Sequence, residues 1–146
     1  MWDIVFRFAM LIYSTAFAAG LLGFMSWRHG HRWRRLATFY PGNGKEVGER
    51  FHMESIFLYA DHEVYNHHQG TVIVTIAEDG IGLRMMLPLN ALYPPIFIPV
   101  SDIRLVQENW LLMGPVCQMR FRQCPELNLV MPGRPGDWLL ANSFAY

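Results

Sequence analysis

The N-terminal part of the chain contains an uncharged segment that is long enough to cross a lipid bilayer. Residues 8–27 are twenty consecutive residues without Asp, Glu, Lys or Arg, and the basic sequence Arg28-His29-Gly30-His31-Arg32-Trp33-Arg34-Arg35 follows directly. A helix of twenty residues is about 30 Å long, the thickness of the hydrocarbon core of a bilayer. The pattern predicts a transmembrane helix over residues 4–27, followed by a basic juxtamembrane linker over residues 28–44.

The arginines after this helix predict its orientation. Basic residues hold their end of a single-pass helix on the cytoplasmic side, so we expect the N-terminus outside and the rest of the chain in the cytoplasm, at the inner membrane. Arg7 is an opposing charge that can reach the interface through its long side chain. Tryptophan and arginine side chains are typical of the membrane interface. The residues expected there are Trp2, Trp27, Arg28, Arg32, Trp33, Arg34 and Arg35.

Small residues within the apolar segment predict contact with another helix. Ala16, Ala19, Gly20 and Gly23 lie on adjoining faces, and small side chains allow two helices to approach closely in lipid. Two alternatives compete with a membrane helix. Ala16-Phe17-Ala18 resembles a signal-peptide cleavage site, but the preceding residues are poorly basic and arginines directly after the site oppose export. A buried helix of a soluble protein would need a larger domain around it than the roughly 100 remaining residues provide.

The net charge of zero conceals an asymmetry along the chain. Residues 1–44 hold five arginines against one aspartate, a net charge of +4, whereas residues 45–146 hold seven Lys/Arg against eleven Asp/Glu, a net charge of −4. The first part suits anionic lipid head groups, at about 1 kcal/mol per basic side chain. The acidic second part disfavours nucleic acid as a partner, because phosphate binding needs a basic surface on the folded domain.

Residues 45–146 have the pattern of a small, mainly-β domain. Short apolar or alternating segments, rich in β-branched residues, are separated by Gly and Pro. Six or seven short antiparallel strands are expected, arranged as an open barrel or sandwich that hides the strand edges. A short C-terminal helix or tail at residues 138–146 is expected to be capped by Asp137. The candidate strands are residues 51–59, 71–77, 81–87, 96–98, 103–107, 111–113, 117–122 and 127–131.

Two local predictions within this domain are specific. Glu78-Asp79-Gly80 is predicted to be a hairpin turn in which Gly80 adopts a positive φ. The strand after it is predicted to place Ile81, Leu83, Met85 and Leu87 on one face. Before the first strand, the apolar residues of segment 32–39 recur at spacings of three and four and predict a short interfacial helix, which Pro41-Gly42-Asn43-Gly44 would end.

The strand pattern resembles that of GRAM and pleckstrin-homology-like domains. The resemblance rests on Gly70-Thr-Val-Ile-Val-Thr, on Gly80-Ile-Gly-Leu, and on Pro94-Pro95-Ile96-Phe97-Ile98-Pro99-Val100-Ser101-Asp102-Ile103. Together with Trp33-Arg34-Arg35-Leu36-Ala37, these sequences are similar to a group of uncharacterised bacterial single-span membrane proteins, over most of residues 30–110. The resemblance implies an open β-barrel and the lipid binding of some pleckstrin-like domains. Glu78 and Asp79 at the first hairpin argue against phosphoinositides.

Few residues suggest chemistry. Asp61-His62-Glu63 and His67-His68 hold metal-ligating groups, but the surrounding polar residues favour a solvated loop over a metal site. Cys117 and Cys124 do not form a disulfide framework; whether they pair stays open, with free, small apolar side chains expected in a cytoplasmic domain. Neither a nucleophile–base pair nor a phosphate-binding loop is recognisable. The sequence therefore predicts no enzyme, no cofactor and no bound metal.

The remaining functional signal is an excess of apolar residues, at 52% of the chain. Apolar loops and tails mark contacts with other proteins. The primary hypothesis is a non-catalytic accessory subunit of a larger bacterial membrane complex, respiratory or photosynthetic in class. The alternatives are an anchored GRAM-like module that binds lipid or peptide, and a metal sensor or enzyme built on His62, His67 and His68. The candidate partner contacts are Leu92, Tyr93, Pro94, Pro95, Trp138, Leu139, Phe144 and Tyr146.

Overall fold

The computed structural model describes residues 1–60 and 66–142. One long helix, α1, spans Trp2–His29, and a second helix, α2, spans His31–Phe39. The uncharged segment contains no proline, and the hydroxyl groups of Ser14 and Thr15 donate to the carbonyl oxygen of Leu11 within the helix, so α1 runs without a break as predicted. Tyr40 and Pro41 follow α2, and the proline cannot donate the next helical hydrogen bond. The predicted short helix and its end are therefore confirmed.

The rest of the chain forms one antiparallel seven-stranded sheet that curls into a half-barrel, with a C-terminal helix against it. The strand order across the sheet is β4-β3-β2-β1-β7-β6-β5, so β4 and β5 form its edges. The predicted helix plus mainly-β domain is therefore confirmed. The strands are β1 Glu49–Ala60, β2 Asn66–Ile76, β3 Gly80–Met85, β4 Ile96–Pro99, β5 Ile103–Trp110, β6 Gly114–Phe121 and β7 Leu127–Met131, and the helix is α3 Arg134–Ala141.

Both short helices pack against the main core of the sheet. Trp33 and Leu36 of α2 and Leu139 of α3 are each 0% exposed and belong to the same apolar cluster as the strands. A second, smaller cluster contains Phe57, Val116 and Val130. Alternation explains the division, because successive residues of a strand point to opposite faces of the sheet.

The packing of α2 corrects the prediction of a linker over residues 28–44. Its apolar stripe is covered by the sheet rather than by lipid, so α2 is part of the domain. The segment after it also belongs to the sheet: Pro41 forms a β-bridge with Ile96, the first residue of β4. Gly42 is required there, because a Cβ atom would lie 2.7 Å from the carbonyl carbon of Ile96. The domain therefore begins at α2 and not at residue 45.

Four local predictions in the β domain are wrong. Gly80 has no positive φ; it is needed because a Cβ atom would collide with the carbonyl oxygen of Ile98 across the β3–β4 pair. Leu87 does not share the buried face of β3, which ends at Met85, and its side chain is 82% exposed. Residues 111–113 form the turn of the β5–β6 hairpin rather than a strand. Asp137 lies in the first turn of α3, which begins after Gly133.

Candidate functional site

The apolar span of helix α1 is not covered by any other described part of the chain, although its C-terminal end contacts the domain. The apolar 18-residue window that marks it as a candidate membrane span is entirely unburied, and its length and composition would also suit a signal sequence. A Cβ atom added to Gly20 or Gly23 would meet nothing within 4 Å. Ala16 and Ala19 are also exposed on this helix. Within residues 1–60 and 66–142, nothing covers the predicted helix-packing face, and its role in packing remains a prediction.

A polar network fastens the end of α1 to the sheet. The Nδ2 group of Asn66, the first residue of β2, donates a hydrogen bond to the carbonyl oxygen of His29 at 2.6 Å. The Oδ1 atom of the same side chain accepts from Nη1 of Arg32 at 3.3 Å, and this nitrogen also lies 3.4 Å from the carbonyl oxygen of Leu58. Asn66 and Arg32 are both buried. The last residue of α1 is thus hydrogen-bonded to the domain and not joined to it by a free linker.

The burial of Arg32 and Trp33 corrects their predicted place at the membrane interface. Trp33 is 0% exposed, and its Nε1 group donates to the carbonyl oxygen of Pro94 at 2.7 Å. Its ring meets the rings of His68 and Tyr93 edge-on, with centroids 5.6 Å and 5.9 Å away. These three rings, which we call the aromatic cluster, hold α2 against β2 and the loop before β4. Trp33 therefore anchors the domain core.

The other predicted interface residues remain accessible. Trp2, Trp27 and Arg28 are exposed along α1. Arg34 is half-buried and donates a hydrogen bond to the carbonyl oxygen of Trp27. Arg35 forms an ion pair at 2.5 Å with Glu126 in the β6–β7 connection. Arg34 and Arg35, which were predicted to lie at the membrane interface, are therefore also bonded to protein groups.

The two histidines of β2 lie on opposite faces of the sheet. His67 is exposed and its ring stacks on Phe57 with centroids 4.1 Å apart, whereas His68 is buried in the aromatic cluster. The predicted solvated loop at these positions is wrong, because β2 begins at Asn66. Among residues 1–60 and 66–142, no three His, Cys, Asp or Glu side chains are arranged to hold a metal. His62 lies outside the described residues.

His68 is the most perturbed imidazole of the described chain. Burial, together with the nearby charges of His67 and His29, lowers its pKa to about 4. Its Nε2 atom has no hydrogen-bond partner among the residues that the structure describes. A cavity of about 230 Å³ adjoins it at the end of α1, lined by Met25, Met85 and Tyr93 among others. His68 is neutral at physiological pH and acts there as a packed aromatic ring.

The two cysteines are free, as expected, and both are buried. Burial raises the pKa of the Cys117 thiol and of the Cys124 thiol to about 11 in each case. A thiol with such a pKa contains very little thiolate at neutral pH and is a poor nucleophile. Both side chains therefore suit packing better than chemistry.

The structure divides the predicted partner contacts. Tyr93 and Leu139 are buried in the domain core, so their assignment to a partner surface is wrong. Leu92 and Pro94 are exposed, and Pro95 and Trp138 are half-buried. Phe144 and Tyr146 lie outside the described residues. The apolar loop before β4 and the C-terminal helix thus complete the domain with one side and present the other to the surroundings.

Sequence reasoning missed a more exposed apolar feature. Leu111 and Leu112, at the tip of the β5–β6 hairpin, are 102% and 96% exposed. Trp110 beside them packs partly on the second cluster. A signal was present, because Trp110-Leu111-Leu112-Met113-Gly114 holds a glycine with a positive φ at its end, as hairpin turns often do. We call Leu111 and Leu112 the hairpin tip.

Comparisons of the chain with protein-family models, with curated proteins and with solved structures give no match. The resemblance to GRAM and pleckstrin-homology-like domains therefore stays a prediction.

Proposed function

We propose that this chain is a membrane-anchored, non-catalytic accessory subunit that stabilises a larger membrane protein complex. The observation that carries the proposal is that the apolar span of α1 is left unburied by the described part of the chain, whereas the last residue of α1, His29, is hydrogen-bonded to the domain. An apolar helix that its own domain leaves uncovered needs lipid or another helix around it. The proposed orientation places the domain in the cytoplasm, because arginines follow the helix.

The attachment of the domain to α1 supports a role in assembly. A flexible tether would let the domain explore all orientations and would cost ordering entropy when it docks. Here Asn66 and Arg32 connect the end of α1 to the sheet, and the Trp33 side chain holds α2 in the core. Such an arrangement presents one fixed face of the domain to neighbouring subunits.

The chemistry of the described residues supports a non-catalytic role. Ser101 Oγ donates only a long bond of 3.4 Å to its neighbour Asp102, and the buried thiols have raised pKa values. The hairpin tip supplies the kind of surface that a partner covers, since isolated leucines of nearly full exposure at a loop end have no use within the domain.

The test is gentle detergent extraction of the native membrane, followed by size-exclusion chromatography and mass spectrometry of co-eluting chains. We expect this chain to migrate with a stoichiometric complex. The double variant Leu111→Glu/Leu112→Glu should weaken that association. Val47→Glu is the matched control, because Val47 is 87% exposed elsewhere on the domain. Elution of the wild-type chain as a lone small particle would contradict the proposal.

A second candidate function is a membrane-anchored module that binds lipid or an extended peptide. The open edge of β5 favours it, because an unpaired strand edge can accept one more strand. A chain that elutes alone but still retains a specific ligand would move the assignment to this class.

A further inference from the structure

The arginines of the β domain fall into two groups. Arg50 and Arg84 donate to backbone carbonyl oxygens, at 3.1 Å and 3.4 Å, and Arg134 forms an ion pair with a buried glutamate. Within the described part of the chain, Arg104 and Arg120 form neither a hydrogen bond nor an ion pair through their guanidinium groups. Both are exposed. The domain thus has arginines that serve its own structure and arginines that do not.

The two unengaged arginines face each other directly. Arg104 of β5 and Arg120 of β6 are register partners in the antiparallel pair. Directly opposite residues share one face of the sheet, with Cβ atoms about 5 Å apart, and two like charges at that distance destabilise the pair. A third arginine, Arg122, follows the end of β6. This concentration of positive charge is unusual in a domain whose net charge is negative. An anion bound between the guanidinium groups would relieve their repulsion.

A groove of about 380 Å³ connects these three side chains. Its lining also includes Ser101, Asp102 and Pro125. The carboxylate of Asp102 is already engaged, because its Oδ2 atom accepts a hydrogen bond from Gln123 Nε2 at 2.8 Å and its Oδ1 atom accepts from Ser101. Three guanidinium groups against this one carboxylate leave the groove with an excess of positive charge.

Guanidinium groups in this arrangement suit a phosphate group. Each planar guanidinium can bind two oxygens of a tetrahedral oxyanion, and such charge-assisted bonds are about twice as strong as neutral ones. Two arginines on adjacent strands can approach one phosphate from two sides without moving the backbone. A carboxylate offers its acceptor lone pairs in a single plane, so it fits two guanidinium groups from adjacent strands less well than the terminal oxygens of a tetrahedral phosphate.

The position of the groove indicates where the phosphate comes from. Arg120 pairs with Asn128 of β7, which pairs with Tyr59 of β1. Leu58, the residue before Tyr59, pairs with Asn66, whose side-chain amide donates to the carbonyl oxygen of the last residue of α1. Since neighbouring strands lie about 4.8 Å apart, Arg120 is roughly 15 Å along the sheet from Asn66. The groove thus lies at the end of the sheet that adjoins α1.

We propose that Arg104, Arg120 and Arg122 form a binding site for a phosphate group, supplied by an anionic lipid head group beside α1. The source of the phosphate rests on the proposed membrane anchorage, whereas the chemistry of the site does not. Binding would restrain the domain against the membrane surface at a second point, about 15–19 Å across the sheet from the Asn66 attachment, as estimated from three strand spacings to Arg120 and four to Arg104.

The experiment uses the full chain in two settings. In lipid nanodiscs, hydrogen exchange of peptides covering residues 103–122 is compared between pure phosphatidylcholine and a mixture with phosphatidylglycerol. In neutral detergent micelles, thermal unfolding is followed while inorganic phosphate is titrated at constant ionic strength with chloride as the reference salt. The test variant is Arg104→Gln/Arg120→Gln. The control Lys45→Gln/Arg50→Gln removes the same charge at the start of β1, at the opposite end of the sheet.

We expect phosphatidylglycerol to slow exchange in residues 103–122 of the wild type and of the control, but not of the test variant. The affinity for phosphate should fall about tenfold or more in the test variant, since it loses charge-assisted bonds. Arg104→Lys/Arg120→Lys should keep only part of the affinity, because lysine retains the charge but lacks the planar guanidinium group with its paired donors. A response to free phosphate without a response to the lipid would support the phosphate site and overturn its lipid source.

Other outcomes overturn the proposal. An equal response of the test variant and the control would mean general charge attraction, and no response in either setting would mean no site. Protection of residues 103–122 only in a complex extracted from native membranes would assign the arginines to an acidic protein surface. Failure of the chain to co-elute with nanodiscs would contradict the proposed anchorage, while the phosphate titration would still decide the site.

Discussion

The two edges of the sheet are treated in opposite ways. The segment after α2 crosses the β4 edge, where the amide of Gly42 donates to the carbonyl oxygen of Pro95 at 3.0 Å and that of Phe97 donates to Tyr40 at 3.1 Å. The β5 edge has no such cover within the described residues. An uncovered strand edge can pair with another chain and is usually protected. The difference indicates that the β4 edge serves the stability of the domain and that the β5 edge is available for contacts.

The same contrast extends to the charged and apolar residues around the two edges. The β4 edge, which we call the closed edge, adjoins the aromatic cluster, whose rings are buried and whose tryptophan is hydrogen-bonded. The β5 edge, which we call the open edge, carries Arg104 near one end and the hairpin tip at the other, and the side chains of these residues are exposed. Substitutions at the closed edge should therefore change the free energy of unfolding, and substitutions at the open edge should change binding.

The largest effect is expected from Trp33→Ala, which would disrupt the packing of the aromatic cluster beside the closed edge. The substitution removes a fully buried ring and its hydrogen bond to Pro94, so we expect a loss of about 3–5 kcal/mol in the free energy of unfolding. Urea unfolding of the full chain in neutral detergent measures it. Trp33→Phe is the control, because it keeps most of the packing and should cost less. A change below 1 kcal/mol in Trp33→Ala would show that α2 is not part of the core.

Acid should lower the free energy of unfolding through protonation of His68, which lies in the aromatic cluster beside the closed edge. Its folded pKa of about 4 lies below the unfolded value of 6.5, so the unfolded chain binds the proton more tightly. The stability contributed by the neutral ring is complete above pH 6.5 and falls as the pH drops towards 4, by up to about 3 kcal/mol. Unfolding free energies at pH 7, 6 and 5 measure the slope.

The variant His68→Phe should remove this pH dependence, because phenylalanine keeps an aromatic ring in contact with Trp33 and Tyr93. His67→Phe is the matched control on the exposed face of the same strand and should retain most of the wild-type slope, because burial is the largest cause of the low pKa of His68 and the charge of His67 a smaller one. An unchanged slope in His68→Phe would assign the acid sensitivity to other groups.

A third substitution, Gly42→Ala, should open the closed edge itself. The new Cβ atom would lie 2.7 Å from the carbonyl carbon of Ile96 and 2.9 Å from the nitrogen of Phe97, both of them backbone atoms. The crossing segment must then separate from β4, at a cost of about 1–3 kcal/mol. Hydrogen exchange at the Phe97 amide should accelerate. Gly23→Ala, where a Cβ atom meets nothing within 4 Å, is the control that should leave the domain unaffected.

The sequence was sufficient for the elements of the fold but not for the environment of some side chains. The β-branched run of residues 71–77 and the alternation of residues 117–122 predicted β2 and β6, because a period of two has one structural meaning. The apolar stripe of α2 was recognised as well. An apolar stripe indicates only that an apolar environment covers the helix. The neighbouring arginines favour lipid as that environment, but in the structure the sheet buries Trp33.

The candidate site was less accessible to sequence reasoning for a related reason. Arg104 and Arg120 are sixteen residues apart in the sequence and become neighbours only through the register of β5 and β6. That register depends on the position of the turn, and the apolar pattern of residues 111–113 predicts a strand where the structure has the turn. A pair of opposed arginines is therefore a property of the tertiary structure, and no single segment contains it.

The smallest effect, and the sharpest test of the open edge, is expected from Arg120→Gln. If the arginine pair serves binding and not folding, its removal should stabilise the domain in phosphate-free buffer of low ionic strength, by about 0.2–1 kcal/mol, since directly opposed like charges are relieved. The gain should shrink as salt is added, because salt screens exposed charges. Arg50→Gln is the control, since Arg50 donates to a backbone oxygen and has no opposed arginine. A loss of stability in Arg120→Gln would mean that the guanidinium group supports the fold, and the division between a structural and a binding edge would then fail at β5.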